Sequence, residues 1–215
     1  FFYDNCATKI RDVINLSLQN NVNFNTPKSF KQKTFRQLIR DHVYWNSWGG
    51  FGIDLALGSV IDQKATAEEH MFLPKYIHLF FENATIGNSK KLVNDSNVLY
   101  ESVQKNESNT FISSPLFILG ILSVIILIIT FFDHKKNKQS VWLDSILFVF
   151  TGSLGVLILL LWFATDHSAT AQNYNFLWAF AINLFVIPQL LKKHVKIWFV
   201  KYLKFLVILL CLLAL

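Results

Sequence analysis

The sequence predicts a small α+β part outside the membrane followed by a multi-span α-helical membrane bundle. Three observations point that way. The 215 residues divide near position 114 into a polar, mixed segment and a remainder dominated by long apolar runs, a contrast hidden in the overall figure of 53% hydrophobic residues. The second part holds four runs of membrane-crossing character. The first holds short stretches of helical spacing and one pair of strand-like stretches.

Taken in order, Asp4 and Asn5 are good N-cap residues, and Cys6, Ile10, Val13, Ile14 and Leu18 follow at helical spacing. Cys6 therefore falls in the first turn of an amphipathic helix. There, unpaired backbone N–H groups and the positive end of the macrodipole favour the thiolate, the form that attacks a carbonyl carbon. The competing reading is a buried cysteine that packs as a small hydrophobe. Asn20 to Lys33 is a polar connection containing Pro27. Thr34 can cap a helix with Phe35, Leu38, Ile39 and Val43 on its stripe, closed by the glycine pair that ends Trp45 to Gly50. Phe51 to Gly58 is apolar around a single acid, Asp54, for which Arg36 or Arg40 would be a partner if it were buried. A short helix is expected over Ala65 to His70, another from Pro74 to about Ala84, and a hairpin from Leu92-Val93 and Val98 to Tyr100. Gln104 to Ser114 reads as a polar tether.

The four expected spans are 116–132, opened by Pro115; 142–165, with Asp144 near its start; 176–191, containing Asn183 and Pro188; and 197–215, where Lys201 and Lys204 can snorkel. Lys135, Lys136 and Lys138 follow the first run, and Lys192, Lys193 and Lys196 follow the third, whereas 166–175 has no lysine or arginine. The positive-inside rule places both lysine-rich loops in the cytoplasm, so residues 1–114 and the 166–175 loop are expected outside, on the periplasmic face of a bacterial inner membrane. The net charge of +6 is then a topology signal, and no nucleic-acid partner is expected. There is no Gly-rich phosphate loop or paired-cysteine metal site, and neither a metal nor a cofactor is expected.

The two cysteines are Cys6 and Cys211, the latter inside the fourth run, where a disulfide would have to reach into the bilayer. A lone thiol in an oxidising compartment calls for a function or for a partner elsewhere in the protein. Met71 is the only methionine and Leu215 falls within an apolar run, so the chain is expected to be a piece of a longer protein. Of the histidines, His134 and His194 fall in the lysine-rich loops, and His42, His70 and His78 read as ordinary partly exposed side chains. His167, beside Asp166 at the outer end of the second run, is a candidate imidazole for the thiol; an interfacial cap on that helix is the competing and simpler reading.

Asn5-Cys6-Ala7-Thr8 with Arg11-Asp12, Thr34-Phe35-Arg36, Phe51 to Gly58, Phe72-Leu73-Pro74 and Trp162 to Thr170 occur in that order. Together they resemble the Lnb-type periplasmic-domain membrane proteins of Gram-negative bacteria. The resemblance implies the C-terminal part of a papain-like thiol domain at 1–103, a linker at 104–115 and a membrane domain at 116–215. It also implies Cys6 as nucleophile, a histidine partner upstream of Phe1, and, for one branch, lipoprotein N-acyltransferase activity. The expected reaction moves an acyl chain from a phospholipid donor, through a Cys6 thioester, to the N-terminal amine of a lipoprotein acceptor. Backbone N–H groups around Asn5 and Ala7, at the helix start, would form the oxyanion hole. A membrane-anchored cysteine peptidase or cell-wall amidase, and a non-catalytic assembly protein, are the alternatives.

Overall fold

A computed structural model describes residues 4–87, 90–100, 111–192 and 194–213. In chain order the helices are α1 (Cys6–Ser17), α2 (Phe35–Arg40), α3 (Trp48–Ala56), α4 (Pro74–Glu82), α5 (Pro115–Lys135), α6 (Val141–Phe163), α7 (Asn183–Leu190) and α8 (Ile197–Leu213). Strands β1 (Val22–Asn23), β2 (Thr85–Ile86) and β3 (Lys90–Lys91) form one antiparallel sheet in that order. The chain divides into two compact units, residues 1–42 with 61–108, and residues 43–60 with 109–215.

In the first unit, Phe35, Leu38, Ile61, Met71 and Phe80 are buried together. Thr34 starts α2 with a capping box: its hydroxyl accepts from Gln37 N–H while the Gln37 side chain accepts from Thr34 N–H. Pro74 occupies the first turn of α4, where its missing N–H costs nothing, and Tyr76, Ile77 and Phe80 turn that helix inward. Val22 pairs with Ile86, and Thr85 with Lys91. The hairpin thus lies at 85–91, and the stretch expected to form one, from Leu92 to Tyr100, has no strand. Residues 98–100 are almost fully exposed, with Leu99 at 97%, so the apolar side chains of its second half are not packed on the described residues of the unit.

In the second unit, α5 and α6 are long and apolar enough to cross a membrane. At 1.5 Å per residue they span about 31 and 34 Å, against a hydrocarbon core of about 30 Å. Ser114 caps α5, and Asp133 closes the tight turn to α6 by accepting from the Ser140 N–H and hydroxyl. Most of α5 is exposed, as a lipid-facing helix would be, including Leu122, Val124, Leu127 and Phe131.

The run expected as one helix over 176–191 is instead a 3-10 turn (Tyr174–Leu177), an irregular stretch, and α7. At eight residues α7 is only about 12 Å long. The irregular stretch and the start of α7 lie against α6 where α6 has no side chains: a Cβ on Gly155 would sit 2.1 Å from the Ala179 carbonyl oxygen, and one on Gly152 would sit 2.7 Å from Leu184 Cγ. Asn183 fixes the join, donating to Thr151 Oγ1 (2.9 Å) and accepting from the Tyr202 hydroxyl of α8. Buried against protein, non-helical backbone is tolerable at membrane depth. The expected linker at 104–115 lies largely outside the described residues, as do Lys193 and the last two residues of the fourth run.

Candidate functional site

Cys6 occupies the first position of α1, and its thiol is exposed. The residues around it are held firmly. Asn5 is extended, with φ −142° and ψ −179°, and its Oδ1 accepts from Ala7 N–H (2.9 Å) and Thr8 N–H (3.1 Å). Thr8 Oγ1 accepts in return from Asn5 N–H (2.8 Å). Asn5 Nδ2 donates to the Phe72 carbonyl (2.9 Å), tying the start of α1 to the 3-10 turn Glu69–Phe72. Ala7 and Thr8 are buried beneath it. The thiol is therefore displayed from a fixed backbone and not from a fraying end.

This cap bears on the expected oxyanion donors. The N–H groups of Ala7 and Thr8 both serve the Asn5 side chain, and Lys9 N–H serves the Asn5 carbonyl (3.0 Å). The first-turn amide that the cap leaves alone is that of Cys6 itself. Asp4 pairs with Lys9 at 2.8 Å, and that hydrogen bond, followed by the lysine's charge, holds the Asp4 carboxyl below the usual aspartate range. Along α1, Cys6, Ile10 and Val13 share one exposed face. On the other side Arg11 is held by Asp12 (2.7 Å) and Glu68 (3.3 Å), at the edge of a polar cleft of about 500 Å³.

The histidines separate clearly. His70 is completely buried: Lys33 N–H donates to its Nε2 (3.2 Å), Nδ1 lies 2.7 Å from the Thr66 carbonyl, and Phe30 and Tyr76 meet the ring edge-on. Nε2 thus accepts and Nδ1 faces an acceptor, so His70 is a packing element and not an ordinary partly exposed histidine. His42 and His78 are exposed. His78 Nε2 lies 3.7 Å from Glu82, and His42 Nδ1 lies 3.2 Å from the Leu38 carbonyl. Arg36 forms a fork with Asp62 (2.6 and 3.2 Å).

Asp166 and His167 are exposed after α6, in the second unit, whereas Cys6 belongs to the first. His167 contributes its carbonyl to the local fold, accepting from Thr170 N–H and Oγ1. The residues that organise this loop are its asparagines. Asn173 Nδ2 donates to the Leu55 (2.9 Å) and Ala56 (3.1 Å) carbonyls, satisfying the end of α3, and Asn175 Nδ2 donates to the Asp54 carbonyl (3.0 Å). Gly58 N–H donates to the Ala169 carbonyl, and Ser59 N–H to that of Gln172, both at 3.0 Å. An uncharged Asn-x-Asn next to a 3-10 turn is a capping signal, but nothing in the spacing says that the helix it caps lies 118 residues earlier. Among the described residues, no group of three or more His, Cys, Asp or Glu side chains is placed to hold a metal ion.

A capped, thiol-bearing helical unit joined to apolar helices of bilayer length defines a membrane protein with a transmembrane domain. More specifically, the chain belongs to the Lnb family, since the model of the Lnb transmembrane domain matches residues 105–215. Comparison with curated proteins and with solved structures found no match.

Proposed function

We propose that the chain is part of a membrane-bound, thiol-dependent acyltransferase, with a papain-like thiol domain to which residues 1–103 contribute. The observation that carries this reading is the exposed thiol of Cys6 at the first position of a helix whose backbone is pinned on both sides. The Cys6 thiolate attacks the ester carbonyl of a phospholipid; the C–O bond breaks and the lysophospholipid leaves with a proton. The free amine of a lipoprotein then attacks the thioester, an amide forms, the amine proton passes to a base, and the thiolate returns. The Cys6 amide, uncommitted to the cap, is suited to receive the oxyanion. An imidazole upstream of Phe1 is the expected base, with His167 and Asp166 as further candidates. Two lipid substrates held in one plane beside the thiol gain effective concentration, which gives the membrane domain a catalytic purpose. The lysine-rich loops support a multi-pass arrangement in a bacterial inner membrane with the Cys6 unit on the periplasmic side.

Intact mass spectrometry of the full-length protein incubated with phospholipid tests this. The expected result is a gain of one acyl chain that hydroxylamine removes and that Cys6→Ala abolishes. An adduct retained in Cys6→Ala overturns the role of Cys6. No adduct, with Cys6 still alkylated rapidly, moves the assignment to hydrolysis of a peptide or amide bond.

A further inference from the structure

The segment 43–60 belongs to the membrane unit even though more than 50 residues separate it from the first apolar run. We propose that it lies in the membrane interface, with α3 and the residues just before it acting as an apolar, aromatic anchor whose outer face contacts lipid headgroups and the adjoining acyl chains. Three observations lead there. The 18 residues from Val43 to Val60 contain one charged side chain, Asp54, and no lysine, arginine or glutamate. A water-facing surface helix of that composition is unusual.

Second, the segment is fastened to the ends of both membrane-length helices. Asn46 Oδ1 accepts from Leu116 N–H (3.1 Å) in the first turn of α5, and Trp48 Nε1 donates to the Ser113 carbonyl (2.9 Å) just before it. At its other end, Asn173 and Asn175 of the loop that follows α6 donate to the Leu55, Ala56 and Asp54 carbonyls, and the Gly58 and Ser59 amides donate to carbonyls of that loop. It therefore sits where α5 begins and α6 has ended, at the level where a bilayer changes from hydrocarbon to headgroup.

Third, its outer face is aromatic. Tyr44, Trp45 and Trp48 are 49%, 56% and 51% exposed, Gly49 and Gly52 continue that face, and Asn46 and Gly50 are buried behind it. Tryptophan and tyrosine with one polar edge and one apolar body are the side chains that collect at membrane interfaces. A nine-residue helix, about 13 Å long, is too short to cross, so the arrangement that satisfies its backbone and its aromatic face lies along the surface, about 5–10 Å into the boundary.

The test uses the full chain in nanodiscs, with Gly52→Cys in a Cys6→Ala, Cys211→Ala background and an environment-sensitive fluorophore on the new thiol. A Cβ at position 52 meets nothing within 4 Å, so the label is tolerated. Lys136→Cys, exposed in the α5–α6 turn, is the aqueous control. The expected result is blue-shifted emission at 52, quenched severalfold more by lipids brominated near the headgroup than at position 136, and protected from aqueous iodide. Iodide quenching at 52 equal to that at 136, with no effect of bromolipid, overturns the proposal, as does strongest quenching by bromine at mid-chain, which would indicate a crossing segment. Intrinsic fluorescence of Trp45→Phe with Trp48→Phe, compared with the unsubstituted chain, reads the same question without a label. Bromolipid quenching left undiminished by that double substitution also overturns it.

Discussion

Replacing Gly58 with alanine should unfasten α3 from the loop after α6. A Cβ at that position would stand 1.8 Å from the Ala171 carbonyl oxygen, 2.7 Å from its carbon and 3.0 Å from Asn173 N. Ordinary contact begins near 3.4 Å, so about 1.6 Å must open (3.4 − 1.8). All three obstructing atoms are backbone, so no rotamer change relieves the clash. The strands of chain have to separate, stretching the Gly58 to Ala169 and Ser59 to Gln172 hydrogen bonds, both 3.0 Å. Overpacking of this kind costs about 1–3 kcal/mol, and loss of the buried Gly58 to Ala169 hydrogen bond adds about 1–3 more, so about 2–6 kcal/mol is expected. Gly52 provides the internal control. It lies in the same segment, a Cβ there meets nothing, and Gly→Ala inside a helix gains about 0.5–1 kcal/mol. Unfolding of both variants in bicelles, followed by near-ultraviolet circular dichroism, should separate them by about 5 kcal/mol, with the unsubstituted protein nearer Gly52→Ala. Equal stability of the two variants would refute the close approach of Gly58 to Ala171.

Asn5→Ala removes the acceptor for two N–H groups and the donor to the Phe72 carbonyl, and should cost about 0.5–2 kcal/mol, with faster amide exchange confined to the first turn of α1. Loss of His70 by His70→Ala strips hydrogen bonds from Lys33 N–H and the Thr66 carbonyl and opens a space between Phe30 and Tyr76; a thermal melt should show a loss of about 2–4 kcal/mol. Asn183→Ala removes the acceptor of the Tyr202 hydroxyl and the donor to Thr151 Oγ1, worth about 0.6–2 kcal/mol in bilayer unfolding assays. Lys9→Met should raise the Asp4 titration, followed by carboxyl carbon NMR, back toward 3.8. Because the folded value is depressed, the stability that Asp4 contributes is present above its unfolded value and fades as pH falls through the folded one.

Start signals were the most legible part of the fold. Asn5, Thr34, Pro74 and Pro115 each stand at or just before the first residue of a helix, because caps and fixed-φ residues act locally. What covers a helix is a long-range matter. The spacing of Cys6, Ile10 and Val13 defines a face but does not say that this face is exposed while Ala7 and Thr8 are buried. The third apolar run shows the same division. Its composition is membranous, yet its break depends on Gly152 and Gly155 of another helix admitting the backbone at Ala179 to Leu184. Sequence alone puts His70 with the partly exposed histidines because neither Thr66 nor Lys33 advertises that it completes a buried ring.

The boundary between the two units illustrates the limit most clearly. A division near residue 114 follows from hydropathy averaged along the chain, and averaging assumes that neighbours in sequence share an environment. Residues 43–60 are flanked on both sides by the first unit and carry glycine and serine enough to pass for a loop. Yet a signal was present: one charge in 18 residues, with two tryptophans and a tyrosine at the start. Its meaning becomes visible only with Asn46 at Leu116 and Asn173 at Leu55, contacts 70 and 118 residues apart. Those bonds make the segment from Phe51 to Gly58 a structural part of the membrane unit, so substitutions there should be scored first for insertion and stability, and for acyl transfer only in protein that passes both.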